Sequence, residues 1–369
     1  MSTLRPSPSL EGPQAAAAVD AQTSQTSLVS EARSLVGDCF AHRSGLYWAD
    51  LIATLAVSYT CAGIYLFAPQ LGAGSLLAFA VAGFGLFRAG TFIHEIQHMG
   101  RGRMLGFKIA WNLVCGIPLL MPSYLYESHL DHHSVRHYGT SRDAEYLPLA
   151  RGPAWRIVLY LLEVPLLPLL AVARFGLLAP LSLLVPPLRR WVLERASSYG
   201  IDLRYRRVLR GAEDRRLWAL VDLAGFGWVI GCGLALAGGV LPLSWLYRVY
   251  VLALLTLGLN WVRTLAAHRY RSAGSRMSLR EQLLDTLTVC GSSPLTWLLF
   301  PVGLRYHTLH HLLPSIPYHA LGRAHRRLCA ALPESSVYRQ TLCPSFRSAL
   351  RTLIRDARTA GAEARPAAS

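Results

Sequence analysis

The chain has 369 residues, 52% of them hydrophobic and only 16% charged, with a formal net charge of +16. A mean hydropathy of +0.31 excludes an ordinary soluble domain and points to a membrane protein. The positive charge is nearly all arginine and lies between apolar runs, which argues against a nucleic-acid-binding module and suits loops facing an anionic leaflet.

Residues 1–35 are rich in Ala, Ser, Pro and Thr and carry no apolar periodicity. They lack the basic start and apolar core of a signal peptide, so a disordered tail is expected. Trp48–Pro69 and Ala73–Ile93 are each long and apolar enough to cross a bilayer, and the short uncharged link PQLGAG makes them a hairpin. Arg43 precedes this hairpin and Arg101 and Arg103 follow it. The positive-inside rule therefore places both ends, with the motif HEIQH, in the cytoplasm. Leu105–Pro122 is shorter and is interrupted by Lys108, Asn112, Pro118 and Pro122, which predicts an interfacial segment.

Ile157–Pro187 is Leu-rich but holds Arg174 and several prolines. It is expected to form two short interfacial or re-entrant segments that return to the same side. The arginine-rich stretch Arg189–Arg216 follows as a cytosolic, headgroup-facing loop. Leu217–Val240 and Trp245–Ala267 form a second hairpin turning at GGVLPLSW, with Arg248 near the outer turn as the one residue against this topology. Leu283–Gly303 is apolar but broken by GSSP, so it too is predicted at the interface. The closing ARTAGAEARPAAS reads as a second tail, and no repeat of 20–50 residues is visible. The expected fold is an all-α membrane protein of about four transmembrane helices in two hairpins, with interfacial helices and a cytosolic histidine-rich cap. Residues 36–345 would form the membrane domain, and 346–369 a C-terminal tail. The seven cysteines are odd in number and contain no C-x-x-C pair, so reduced thiols are expected rather than a disulfide frame or an iron–sulfur site.

Nine of the 13 histidines fall in tight groups. HEIQH carries His94 and His98, HLDHH carries His129, His132 and His133, and HTLHH carries His307, His310 and His311. His268 stands at the end of the fourth apolar span. Residues at i, i+3 and i+4 share a helix face, and rigid helix-borne nitrogens are what a metal needs. The topology brings all four groups to one membrane face. Nine imidazoles exceed the roughly four ligands one zinc takes, so they fit two metals of four or five ligands each. Imidazole suits zinc, copper, iron and nickel alike, so ligand type alone does not select the metal. HEIQH by itself also matches the H-E-x-x-H of zinc proteases, with Glu95 as base. That reading leaves at least six clustered histidines idle. A non-enzymatic metal-binding membrane protein is the other alternative from a different class.

The ordered set HEIQH, HLDHH and HTLHH, with RTLAAH before the third box and GLRYHTLHHLLPSIPYHAL around it, resembles the integral-membrane fatty acid desaturase family over roughly residues 40–330. The resemblance implies two non-haem irons held by His94, His98, His129, His132, His133, His268, His307, His310 and His311, of which His268 is the position where branches of the family differ. It implies O2 as co-substrate, a fatty-acyl lipid in a lipid-facing channel, and insertion of a cis double bond. Related lipid hydroxylases and carotenoid oxygenases carry similar boxes, so hydroxylation is the alternative within the superfamily. The reaction itself favours iron, because an unactivated C–H bond needs a redox-active, O2-activating metal and zinc has no redox chemistry.

Glu95, Asp131, Asp143, Glu145 and Asp285 are candidates to accept the second N–H of the ligating rings. His137, four residues after His133, extends the face of the second box; His319 and His325, which follow the third box in PYHALGRAH, are expected at the surface or behind the ligating rings, and His42 stands apart. No haem, ferredoxin or dinucleotide motif is present, so a separate electron donor is expected, a ferredoxin or a cytochrome b5-like protein with its reductase. Membrane lipids are the other expected partners, and the expected location is the bacterial inner (cytoplasmic) membrane with the boxes facing the cytoplasm.

Overall fold

The computed structural model describes residues 28–363 except Arg101, Tyr199 and Ala212. Two helical hairpins form its frame. The first joins Ser44–Leu66 to Ala73–His98, and the second joins Arg215–Ala237 to Leu243–Thr264. Each of these four helices is long and apolar enough to cross a membrane. Glycines let them pack closely, as small residues do in helices that lipid cannot drive together. A Cβ at Gly85 would sit 2.2 Å from Ser58 Oγ, and one at Gly83 would sit 2.3 Å from a methyl of Leu255 in the second hairpin.

Arg248, out of place by sequence, has a defined role. It is buried, and its Nη1 donates to the carbonyls of Tyr65, Leu66 and Ala68 at 3.2, 3.1 and 2.6 Å. It closes the C-terminal end of the Ser44–Leu66 helix, whose last carbonyls have no partner within the helix and carry negative dipole charge.

A fifth stretch, Trp155–Leu184, is also long and apolar enough to cross, one more than the four expected. It is not α-helical throughout. A 3-10 turn at Val164–Leu166 and a π turn at Arg174–Leu178 divide it. Near its start Tyr160 stacks on Trp261, close to the end of the Leu243–Thr264 helix. Further along, Arg174 binds Asp222 near the start of the Arg215–Ala237 helix and donates to the carbonyl of Ala196.

The shorter segments form a cap at the histidine-bearing ends of the hairpins. Leu105–Trp111 runs into a π turn and is docked by Trp111, whose Nε1 donates to the Ala89 carbonyl at 2.8 Å. The stretch expected at the interface near 283–303 divides into Leu279–Asp285, a two-residue strand Thr288–Val289, and Pro294–Leu299. Ser278 and Ser293 cap the two helices. The strand pairs in parallel with Leu342–Cys343, and isolated bridges join Thr288 to Tyr306 and His268 to Thr286. This small patch of β pairing holds the third box beside the end of the second hairpin.

Both expected tails shrink. Residues 28–35 are helical, and Ala32, Val36 and Cys39 bury themselves against Leu309, Ala320, Ala324 and Leu328. Phe346–Glu363 is one helix whose Phe346, Ala349, Leu353 and Ala357 recur every three or four residues and are buried. Residues 1–27 and 364–369, the rest of the two expected tails, lie outside the described residues. All seven cysteines are free thiols.

Candidate metal centre

The helix Ala73–His98 carries the first box on its final turns, so His94 and His98 project together from its end. HLDHH forms a single helical turn, His129–His132 with His133 continuing in helical geometry, and HTLHH opens the helix His307–Leu312. His268 follows the last helix of the second hairpin after a turn closed by Ala266 N–H and Ala267 N–H on the carbonyls of Arg263 and Thr264.

These elements bring all nine histidines together in two groups. His94, His98, His129, His133 and His310 form one, and His132, His268, His307 and His311 the other; within each, the ligand nitrogens lie within 4.8 Å of one another. The division follows helical geometry. In HLDHH the i, i+4 pair His129 and His133 joins the first group while His132 turns to the second. In HTLHH the i, i+4 pair His307 and His311 joins the second group while His310 turns to the first. The groups abut: the rings of His133 and His311 stack with centroids 4.2 Å apart.

The arrangement fits cations. Nε2 atoms face each other at 3.0 Å for His98–His129, His129–His133 and His98–His310, and at 3.1, 2.8 and 3.2 Å for His132–His268, His268–His307 and His307–His311. Two nitrogens about 2.1 Å from a shared ion and at right angles about it stand about 3.0 Å apart. His94 is buried with no hydrogen-bond partner on either ring nitrogen among the described residues, a costly state that an ion would relieve. Burial, reinforced by the neighbouring imidazoles, holds His133, His268, His307, His310 and His311 well below the usual histidine range, so each is a neutral ring with a free lone pair.

Three rings have their outward nitrogens held. His129 Nδ1 bonds Glu145 at 2.5 Å, and His132 Nδ1 meets both oxygens of Asp143 at 2.9 and 3.0 Å. Burial acts against a charged His132, but Asp143 outweighs it and raises that ring's pKa. Burial likewise opposes charge on Glu145, yet His129 and its neighbours hold the carboxyl well below the usual range. His268 Nδ1 lies 2.8 Å from the hydroxyl of Tyr138, which donates to Asp285 at 2.9 Å. Tyr126 stacks on His129 with centroids 4.8 Å apart.

Of the five carboxylates singled out by sequence, Asp143 and Glu145 touch candidate ligands directly and Asp285 reaches one through Tyr138. Glu95 and Asp131 do not. Glu95 accepts from Tyr47 Oη at 2.5 Å and from the Tyr318 N–H at 3.1 Å, on the flank of its helix that packs against the first span. This removes the base that a zinc protease would need. Asp131 pairs with His137, at 2.9 Å, and with Arg210. His137 is therefore engaged outside both groups, as are His42 on Tyr47, His319 on the Arg43 N–H and His325 on Tyr338. Tyr138 and Tyr126 escaped the sequence reading, because a phenol beside a ring leaves no spacing signature.

Residues 69–342 match the fatty acid desaturase family. The chain is also similar to a ceramide hydroxylase of Caulobacter vibrioides (strain NA1000 / CB15N), at 38% identity over 350 residues that cover 93% of this chain and 97% of that protein.

Proposed function

This chain belongs to the fatty acid desaturase family, and from that footing we propose that it is an O2-dependent lipid hydroxylase acting on an alkyl chain of a ceramide or a closely similar N-acyl lipid. One observation carries hydroxylation above the expected acyl desaturation: the similarity to a ceramide hydroxylase runs nearly the full length of both proteins. Desaturation stands as the second reading and rests on the family description alone.

The proposed cofactor is a pair of non-haem irons. Imidazole does not choose among iron, zinc, copper and nickel, but cleavage of an unactivated C–H bond calls for a redox-active metal. Bound iron supplies the activation of O2 and the cleavage of that bond. The chain supplies the rest. His94, His98, His129, His133 and His310 would hold one ion, and His132, His268, His307 and His311 the other. Glu145 and Asp143 keep the outward nitrogens of His129 and His132 occupied, which leaves Nε2 bare for metal. His94, His129, His132, His268, His307 and His310 are buried and His98, His133 and His311 half-buried, so the cage is largely fixed before substrate arrives.

The balance is one C–H bond, O2, two electrons and two protons giving one C–OH and one water. The two electrons come from a separate donor in this proposal. Exposed Arg136, Arg142 and Arg276 surround His137 beside the second box and suit an acidic donor protein through electrostatic steering. The proposal also sets the chain in a bacterial cytoplasmic membrane, arginine-rich loops and histidine cap inward.

Lipid mass spectrometry of cells grown under 18O2, with and without the gene, tests the reaction. A lipid that gains one labelled oxygen supports hydroxylation. A product short of two hydrogens and without added oxygen overturns it in favour of desaturation. His310→Ala should abolish either product.

A further inference from the structure

We infer that Tyr138 and Asp285 form a polarised relay that fixes the tautomer of His268 and thereby builds the four-histidine metal group. Tyr138 is a positioning residue, and this inference rests on the metal-holding role proposed above.

A single hydroxyl proton sets the wiring. Tyr138 is fully buried between the two partners. Its O–H donates to Asp285 Oδ2 at 2.9 Å. Its oxygen, 2.8 Å from His268 Nδ1, is then free only to accept. His268 must therefore carry its proton on Nδ1, which leaves Nε2 as a bare lone pair. That Nε2 faces the Nε2 atoms of His132 and His307 at 3.1 and 2.8 Å. Asp285 is fixed in turn. Its other oxygen, Oδ1, accepts from the Arg271 N–H at 3.0 Å, and its own backbone carbonyl accepts from Arg269 N–H. The pairing of 267–269 with 285–287 thus sets the carboxylate behind the histidine although the two are distant in sequence.

This wiring makes Asp285→Asn an informative change. Arg271 N–H requires an acceptor at Oδ1, so the amide oxygen takes that position and the NH2 falls opposite Tyr138. The amide would donate to the phenol oxygen, and the phenol proton would turn to His268 Nδ1. The ring would then hold its proton on Nε2, pointing into the metal position. Shape is kept while polarity is reversed. Tyr138→Phe removes the bond without imposing the wrong tautomer, and Tyr138→Phe with Asp285→Asn cannot transmit the reversal at all.

The test is anaerobic equilibrium dialysis of the full-length, detergent-solubilised chain against ferrous iron, read as bound iron per chain. The wild type should bind two. Asp285→Asn should retain about one, with affinity for the second lowered by about 10- to 100-fold or more, and Tyr138→Phe should show a smaller loss. The double variant should match Tyr138→Phe alone. If Asp285→Asn costs the same with and without the phenol, Asp285 acts through packing and the relay is wrong. Unchanged iron in both single variants also overturns it, as does loss of both irons from a chain that still melts cooperatively. A wild type that binds fewer than two irons fails the metal-holding proposal itself and is a separate result.

Discussion

At the scale of single residues, burial and hydrogen-bond partners decide which carboxylates matter to the metal groups. Glu145 holds His129 directly, whereas Asp131 holds only His137 and Arg210. Glu145→Gln should lower iron affinity by about 10- to 100-fold, since outward partners tune their ligand. Asp131→Asn should leave iron content unchanged, and dialysis against iron reads both. Glu95→Gln separates the metal cage from a protease by activity: the amide oxygen can still accept from Tyr47 and Tyr318, so both irons and the oxidised lipid product should be retained, at a stability cost of roughly 1 kcal/mol for a weaker acceptor, whereas a protease would lose its base and its activity. The nine histidines were legible because i, i+3 and i+4 spacing survives in sequence as a pattern. Their partition into five and four was not, because it depends on how two short helices face each other across a distance of nearly two hundred residues. Glu95 and Asp131 were misleading for a related reason: adjacency to a box fixes neither the direction of a side chain nor its partner.

At the scale of elements, apolar length found the two hairpins, and interruptions found the cap segments. What escaped was helical structure assembled by tertiary contact. Phe346–Glu363 reads as a polar, alanine-rich tail, yet its sparse apolar stripe is enough once Leu147, Tyr270 and Trp261 offer a surface. Arg248 shows the converse, a residue that looked wrong for its location because its partners, three carbonyls of another helix, carry no sequence signal. Arg248→Met keeps much of the bulk and removes the cap. It should destabilise the protein by roughly 1.5–3 kcal/mol, the range for hydrogen bonds to a charged group, and lower the melting temperature in detergent. Iron stoichiometry at low temperature should be preserved, because the cap lies at the opposite end of the first hairpin from the histidines.

At the scale of the whole molecule, the question is how many of the five apolar stretches cross. Trp155–Leu184 satisfies length and composition, but a crossing there would separate segments that touch. The loop after it sends Arg207 to Glu127 and Arg210 to Asp131, both beside the second box, which lies before it in the chain. A single crossing would place that loop on the far side of the membrane. The stretch must therefore begin and end on the same side, as an interfacial or re-entrant segment rather than a crossing. Four crossings then leave every box, and the loop, on one face. Cysteine labelling with a membrane-impermeant maleimide checks this. Cys290 is exposed and belongs to the cap. Arg195→Cys reports the loop, and Gln70→Cys reports the opposite turn of the first hairpin; both positions are exposed. In a background without other cysteines, Cys290 and Arg195→Cys should label together in inside-out vesicles and stay protected in spheroplasts, with Gln70→Cys reversed. Labelling of Arg195→Cys alongside Gln70→Cys would mean that the fifth stretch crosses. The loop could then no longer reach Asp131, and the single-faced histidine cap would have to be redrawn.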